Sequence, residues 1–559
     1  MRVSTRELTK KDLGQYFTPA EVVDFTLKMA GEIGGPSLNK GARVLDPACG
    51  AGAFLLSALD KGIGSPATIF GIDIDPKVRE AWERNTLAEN LARNLYIQNG
   101  LYDPDDNRVS EKLPLRQFDL VVGNPPYGGF GVREVEKDKR LFNSLKTYEL
   151  WRLGTRANDD QNSLFDVDVL ERLRRLTPKE VERLERFPIE ILFLERFIRL
   201  AKAGGVIAIV IPDGILANVK FDYVRGWVAG RCHVVAVVSL PRGTFRGAGT
   251  TAKTSILFLR KKGAKACGPK HVFMGQLDEG KDGGPPDKEE FDFVLKKFRD
   301  KFKGYASGSP IIWTSTTTDD LWNNRWDADY WDPTFIKPIE KIREKFECVE
   351  FGALIKEGVS GFRGKTEYAK KGIRFLEVRC IRDLGIDFKE GRFVKKGGNF
   401  DKPQYRIEEG DILIVRSGVA SAGRVMAVTY IPEKTVICGD IYKVKIYNRC
   451  SPYYLAILMQ TKVGLLQMER AKAGIASTKL DVVDIKRFII PIPPKRFQNL
   501  IARDYRIIFS EHSKAMNRKH ELSSARGYRD DPIFIKNLNL AQKSMKKLIT
   551  KLDNYFFPE

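Results

Sequence analysis

The most specific chemistry in this chain sits in four consecutive residues, Asn124-Pro125-Pro126-Tyr127. They follow the apolar run Phe118-Asp119-Leu120-Val121-Val122-Gly123, which reads as a strand, so they form the turn that leaves it. The Asn124 side-chain oxygen and the Pro125 carbonyl are two acceptors, and the prolines restrict the backbone that holds them. Two fixed acceptors suit an –NH2 group whose lone pair is delocalised into a neighbouring π-system. Each acceptor takes one hydrogen, the nitrogen is drawn toward tetrahedral geometry, and its lone pair becomes available for in-line attack. This is positioning chemistry and calls for no general base. Tyr127 adds a π-face on which a flat ring can stack, and a base inside a duplex has to be turned out of the helix to reach it.

A second constellation lies upstream, in Asp46-Pro47-Ala48-Cys49-Gly50-Ala51-Gly52-Ala53-Phe54-Leu55. The glycines let a backbone turn approach a bound ligand closely, and an acid at the strand tip can accept from an ammonium group. Roughly 20 residues on, Gly71-Ile72-Asp73-Ile74-Asp75 ends another strand-like run. Asp73 is placed where ribose hydroxyls would lie, whereas Asp75, just before Pro76, suits a helix N-cap. Gly14-Gln15-Tyr16-Phe17-Thr18-Pro19 reads locally as a loop that caps the helix entered at Ala20. A nicotinamide site would ask for Gly-x-Gly-x-x-Gly, which the loop at residues 46–55 lacks.

The loop at 46–55 resembles the cofactor loop of class I methyltransferases, in the form used by the branch that methylates amino groups of DNA. With Asn124-Pro125-Pro126-Tyr127 downstream, the chain resembles N6-adenine DNA methyltransferases of the gamma order, as in type I modification subunits and type IIG enzymes. That resemblance implies S-adenosyl-L-methionine as cofactor, an extruded adenine of double-stranded DNA as substrate, and no metal. It further implies that Tyr16, Thr18, Asp46, Ala48, Gly50, Gly52 and Asp73 hold the cofactor and that Asn124, Pro125, Pro126 and Tyr127 are catalytic. Where many relatives carry an acid after the third strand, this chain reads Ile97-Gln98-Asn99, so Asn99 is the nearest match. The run Leu240-Pro241-Arg242-Gly243-Thr244-Phe245 is similar to a late element of type I modification subunits. Phe245 is then either a second aromatic flanking the base or a core residue.

These residues need a scaffold. Apolar runs at 42–45, 68–72, 118–122, 206–211, 234–240 and 255–259 alternate with amphipathic stretches, helical over 76–91 and over 189–203 before Gly204-Gly205. The alternation predicts an α/β fold with helices on both faces of a mostly parallel sheet. The resemblance makes it a Rossmann-like class I methyltransferase sheet of seven strands over residues 1–265. A charged insertion at 128–188 reads as a mobile lid, a substrate-facing excursion or a solvated surface elaboration. Residues 266–345, with Gly-Lys-Asp-Gly-Gly-Pro-Pro at 280–286, read as a linker. Residues 346–494 form a mixed α/β domain that resembles one target-recognition domain of type I specificity subunits. The likeness lies in Gly410-Asp411-Ile412-Leu413-Ile414-Val415-Arg416-Ser417-Gly418 and the closing Ile489-Ile490-Pro491-Ile492-Pro493-Pro494. Arg363, Lys365, Arg416 and Arg424 stand beside glycines in expected loops, within reach of phosphates or base edges. Residues 495–559 form a helical tail, which packs either on a partner or on the recognition domain.

Bulk properties fit. An excess of 94 Lys+Arg over 72 Asp+Glu, a formal charge of +22, favours a polyanionic partner. The seven cysteines form no C-x-x-C pair, so neither a zinc site nor a disulfide framework is expected. With no long uncharged apolar run and no secretion signal, the expectation is a cytoplasmic protein without membrane contact. Two other readings use the same motifs. Glutamine methyltransferases acting on release factors share Asn-Pro-Pro-Tyr, because an amide poses the same nucleophile problem. Alternatively the chain is a modification or specificity subunit. No helicase P-loop is present, so cleavage would need a separate nuclease or translocase subunit, and a second copy of the chain is another candidate partner.

Overall fold

The computed structural model describes residues 17–558 apart from 84–91, 103–116, 128–137, 157–176, 264–268, 301–310, 318–320, 322–324, 419, 473–478 and 523–527. The chain divides into two compact units, Met1–Pro333 and Thr334–Glu559. Tyr16 and the second half of the helix expected at 76–91 lie outside the described residues.

The first unit is built on one sheet of nine strands: β1 (Val44–Asp46), β2 (Ile69–Asp73), β3 (Leu95–Ile97), β4 (Phe118–Gly123), β5 (Ala201–Pro212), β6 (Cys232–Leu240), β7 (Thr254–Lys261), β8 (His271–Leu277) and β9 (Ile311–Thr317). Their order is β3-β2-β1-β4-β5-β7-β6-β8-β9. β1 to β5 run parallel, and β7 is antiparallel to both β5 and β6. The central strands are apolar throughout because both faces are covered: residues 206–211 of β5 are all buried. Val206, Ala208 and Val210 join the core built with helices Ala20–Gly34 and Lys288–Arg299. Ile207, Ile209 and Ile211 alternate to the opposite face.

Several expectations change. The seven strands expected over residues 1–265 correspond in number to β1–β7, and residues read as a linker extend the sheet to nine by supplying β8, a helix and β9. The glycine-proline run at 280–286 is a tight turn within that unit, closed by Gly283 N–H donating to Gly280 O at 2.7 Å. Gly204-Gly205 does not end the preceding helix, which stops at Leu200. The pair lies inside β5, where the pairing to β4 shifts register between Phe118 and Leu120, and a Cβ on Gly205 would lie 2.8 Å from Phe118 O. Residues 138–156 of the insertion pack into the unit. Leu141, Leu145, Tyr148, Leu150 and Trp151 are buried. The fully buried Glu195 carboxylate accepts from Glu149 N and Leu150 N at 2.8 Å each and pairs with Arg199 at 2.7 Å.

In the second unit, strands Ile355–Ser360, Ile441–Ile446, Ile412–Val415 and Val425–Ala427 form an antiparallel sheet. A second four-stranded sheet contains Ile373–Leu376 and Thr435–Ile437. The turn into Ile412–Val415 uses Gly410 at φ +86°, beside Asp411, whose carboxylate accepts from Glu408 N at 2.7 Å. The tail is two long helices, Lys495–Glu521 and Pro532–Phe556, and it is not a separate appendage. Tyr505, Phe509, Met545 and Leu552 share one core with Ile414, Met426 and Tyr442. Ile339 and Ile342, also read as linker, belong to the same core.

Candidate active site

β1 and β4 are neighbours, yet the chain leaves β1 toward β2 and reaches β4 only after β3. At such a reversal of strand order the carboxyl ends open onto a crevice. The two sequence motifs are the loops that leave those two strand ends.

The glycine loop is held from below by a residue that the sequence did not single out. Trp82, 1% exposed, donates its indole N–H to Gly50 O at 3.1 Å. Its ring underlies Gly52, where a Cβ would meet Trp82 at 3.0 Å, and Gly52 sits at φ +83°. Gly50 is also left-handed, at φ +50°, but a Cβ there would meet nothing within 4 Å: the space above the loop is open. The loop is tied to β2 as well, through Gly50 N–H donating to the Asp73 carboxylate at 2.8 Å and Cys49 N to Ile72 O at 2.9 Å. Gly52→Ala is therefore expected to lower the melting temperature through backbone strain and displacement of Trp82. Gly50→Ala should cost only about 1 kcal/mol in stability while still weakening binding of a ligand above the loop. Thermal melts beside ligand titrations separate the two; equal melting losses in both variants would contradict this account.

Both acids sit under that loop. Asp46, 1% exposed, accepts from Ala48 N at 2.9 Å, and its Oδ1 lies 2.5 Å from where a Cβ on Gly123 would be. Only glycine at the end of β4 leaves room for it. Burial pushes the Asp46 carboxyl up to about 8, with the Ala48 N–H pulling it down and the charge of Asp73 adding to the rise. Asp73 is also raised by burial, held back by the N–H groups of Asp75 and Gly50. Two adjacent carboxyls that resist ionising favour a cationic ligand. Asn99 Oδ1 accepts from Leu101 N at 3.0 Å, on a loop that abuts Pro47 through Gly100. Two exposed apolar residues flank the site and were not anticipated, Ile74 at 53% and Phe17 at 67% exposure.

Asn124 is half-buried at the tip of β4, and its amide is oriented. Nδ2 donates to Thr18 Oγ1 at 3.1 Å, which turns Oδ1 the other way; that oxygen is buried and has no hydrogen-bond partner among the described residues. A buried acceptor left unmet is a standing cost that a bound donor would remove. Pro125 is buried, Pro126 half-buried, and Tyr127 2% exposed. Tyr127 and Phe245 meet edge to face, centroids 6.4 Å apart at 79°, with Phe245 in the core cluster. The structure brings the two rings together in direct contact.

At the same carboxyl edge, the buried Asp213 accepts from Ser255 Oγ at 2.7 Å, and Lys253 pairs with Asp329 at 2.8 Å. This network pins residues 325–332 to the sheet, a contact that no local pattern announced.

In the second unit the four expected DNA contacts part company. Arg363 and Lys365 are exposed. Arg416 is 7% exposed and spent on the fold, donating to Leu480 O at 3.1 Å and Ser360 Oγ at 2.9 Å. Arg424 pairs with Asp383 at 2.7 Å and donates to Ile381 O. Both side chains are thus engaged in contacts within the unit. Lys479, not anticipated, is half-buried; burial and the charges of Arg363 and Arg416 lower its pKa, while Asp481 and Asp440 act in the opposite direction.

Residues 4–151 and 157–307, more than half the chain, match the N-6 DNA Methylase family, and residues 358–517 match the Type I restriction modification DNA specificity domain. The Type II methyltransferase M.TthHB8I of Thermus thermophilus is 27% identical over 229 residues, 40% of this chain and 41% of that protein. The Type I restriction enzyme EcoEI methylase subunit of Escherichia coli is 25% identical over 325 residues, 56% of this chain and 51% of the subunit. The chain thus spans about half or less of the length of these relatives. Among solved structures, the type IIG restriction endonuclease BpuSI aligns with 96% of this chain and 66% of its own, at 14% identity and a TM-score of 0.46, too low to argue from. Among the described residues no helix is long and apolar enough to cross a membrane, and no cluster of side chains could hold a metal ion.

Proposed function

The chain belongs to the N-6 DNA Methylase family, and from that premise we propose that it methylates the N6 amine of adenine in duplex DNA at a sequence chosen by its second unit. The family implies S-adenosylmethionine as methyl donor, and the residues present suit that group. The open cradle over Gly50, the acids Asp46 and Asp73, and the exposed Ile74 and Phe17 match a cation with ribose hydroxyls and an apolar ring. Asp46 would take the ammonium end, with Thr18 beside it, Asp73 the ribose, and the glycine loop with Ala48 and Asn99 the remaining contacts; Tyr16 is added to this set by the family resemblance alone. When bound, the cofactor supplies a sulfonium methyl as electrophile.

The observation that carries the reading is the buried, unpartnered Oδ1 of Asn124, fixed by Thr18. That oxygen and the Pro125 carbonyl accept the two amine hydrogens and hold the nitrogen lone pair in line, with Tyr127 against the purine and Phe245 at its edge. Duplex DNA is the proposed partner, and Arg363, Lys365 and Lys479 are its proposed phosphate or base contacts. By analogy with the relatives named methylase subunits, a separate restriction subunit is proposed as a further partner, in a cytoplasmic setting. The matched specificity domain favours DNA over a protein glutamine as substrate.

The test offers the chain, with methyl-labelled S-adenosylmethionine, randomised duplex DNA and glutamine-bearing protein side by side. Label is expected on adenine N6 within one sequence context. Label on protein, or on no adenine at all, would reject the proposal.

A further inference from the structure

The last helix, Pro532–Phe556, carries five lysines and, of acids, only Asp553, which is occupied in accepting from Lys462 N at 2.8 Å. At 100° per residue Lys536, Lys543, Lys546, Lys547 and Lys551 fall within an arc of about 140°, opposite the buried Ala541, Met545, Leu548 and Leu552. All five are exposed, and among the described residues none is in an ion pair.

On the neighbouring helix Lys495–Glu521 several cations are paired. There Lys514 pairs with Glu511 at 2.7 Å, Arg518 with Asp531 at 2.9 Å, and Lys519 with Asp387 at 3.2 Å and Glu390 at 3.1 Å. On the last helix, Lys543, Lys547 and Lys551 stand at successive i, i+4 positions, where like charges repel, and no side chain relieves them.

We infer that this lysine face is a second, sequence-independent DNA contact that lies along the phosphate backbone outside the recognised bases. Lys536 to Lys551 spans about 22 Å of helix, long enough for several of these side chains to meet phosphates on one side of a duplex. A lysine head is a point charge on a flexible stem, suited to backbone contact and poorly suited to reading base edges. This inference rests on DNA being the substrate, and it adds where the affinity comes from.

The test compares the full chain with the triple variant Lys543→Gln, Lys547→Gln, Lys551→Gln, using a duplex that contains the methylated sequence and a scrambled duplex across a salt series. Losing three phosphate contacts should make the slope of log affinity against log salt shallower by about 2.7. The ratio of target to scrambled affinity should stay unchanged. The corresponding triple Lys→Arg variant should restore the slope, and melting of all variants no lower than wild type shows that the fold is intact. A wild-type slope in the glutamine variant overturns this inference and leaves the methyltransferase reading standing. Absence of DNA binding by the unaltered chain overturns both.

Discussion

Asn124→Ala is expected to slow methyl transfer by about 10²–10³-fold, with cofactor affinity and melting temperature close to wild type. The reasoning starts from the orientation of the amide. Thr18 Oγ1 takes the donor side, so the acceptor side faces inward with nothing to accept from. In the free protein this arrangement is unfavourable by about 1–3 kcal/mol, and removing the oxygen relieves that cost, so the variant should not melt lower. In the substrate complex the same oxygen would hold one amine hydrogen, and its loss leaves the nitrogen planar and its lone pair misaligned. Asp46, Asp73 and the glycine loop are untouched, so the cofactor should still bind. Thr18→Ala is the matched control. It frees the amide to rotate but keeps both polar atoms, and a loss of about tenfold, one hydrogen bond's worth, is expected. Single-turnover methylation with cofactor titration reads both variants. Full turnover by Asn124→Ala, or loss of cofactor binding with no loss at the chemical step, would remove Asn124 from the role assigned to it.

The parts of this site that sequence revealed are those fixed by backbone chemistry within a few residues. Asp46-Pro47-Ala48-Cys49-Gly50 and Asn124-Pro125-Pro126-Tyr127 need left-handed glycines and proline-restrained carbonyls, so their conformation is written in their residue types. β4 and the middle of β5 were legible because strands buried on both faces must be apolar at every position. What stayed hidden depends on partners distant in the chain. Trp82 gains its role only when its helix folds back under Gly52, and Arg416 is buried only because Leu480 and Ser360 arrive beside it. Glu195 looks like a surface charge on an amphipathic helix until Glu149 and Leu150 turn their N–H groups toward it. β8 and β9 were missed because a turn rich in glycine and proline follows β8, and composition alone cannot tell a tight turn inside a domain from a connector between two.

Asp46→Asn should separate stability from binding by moving them in opposite directions. The wild-type carboxyl is raised to about 8 by burial, against 3.8 for the free group. Below about pH 4 both folded and unfolded chains hold the proton, so the group has no effect on stability. As pH rises the unfolded chain releases its proton while the folded one keeps it, so Asp46 lowers stability progressively up to about pH 8, and its effect is constant above that. At pH 7 the penalty is on the order of 4 kcal/mol. An amide has no proton to lose, so the variant should melt higher than wild type, with a gap that widens from pH 5 to pH 8. Binding should behave in the opposite way. An ion pair with an α-ammonium needs Asp46 ionised, which is half complete at about 8, and the ammonium intact, which is half lost at about 7.7–8.0. Wild-type affinity for S-adenosylmethionine should therefore peak near pH 8 and fall up to about tenfold per unit on each side. In Asp46→Asn the acid limb should vanish and the affinity at pH 8 should drop by at least about tenfold, one charge-assisted hydrogen bond. Calorimetric titrations and melts across pH 5–9 measure both. If the variant keeps both the acid limb and wild-type affinity, the ammonium is held elsewhere and the buried acid beneath Gly123 serves the fold alone.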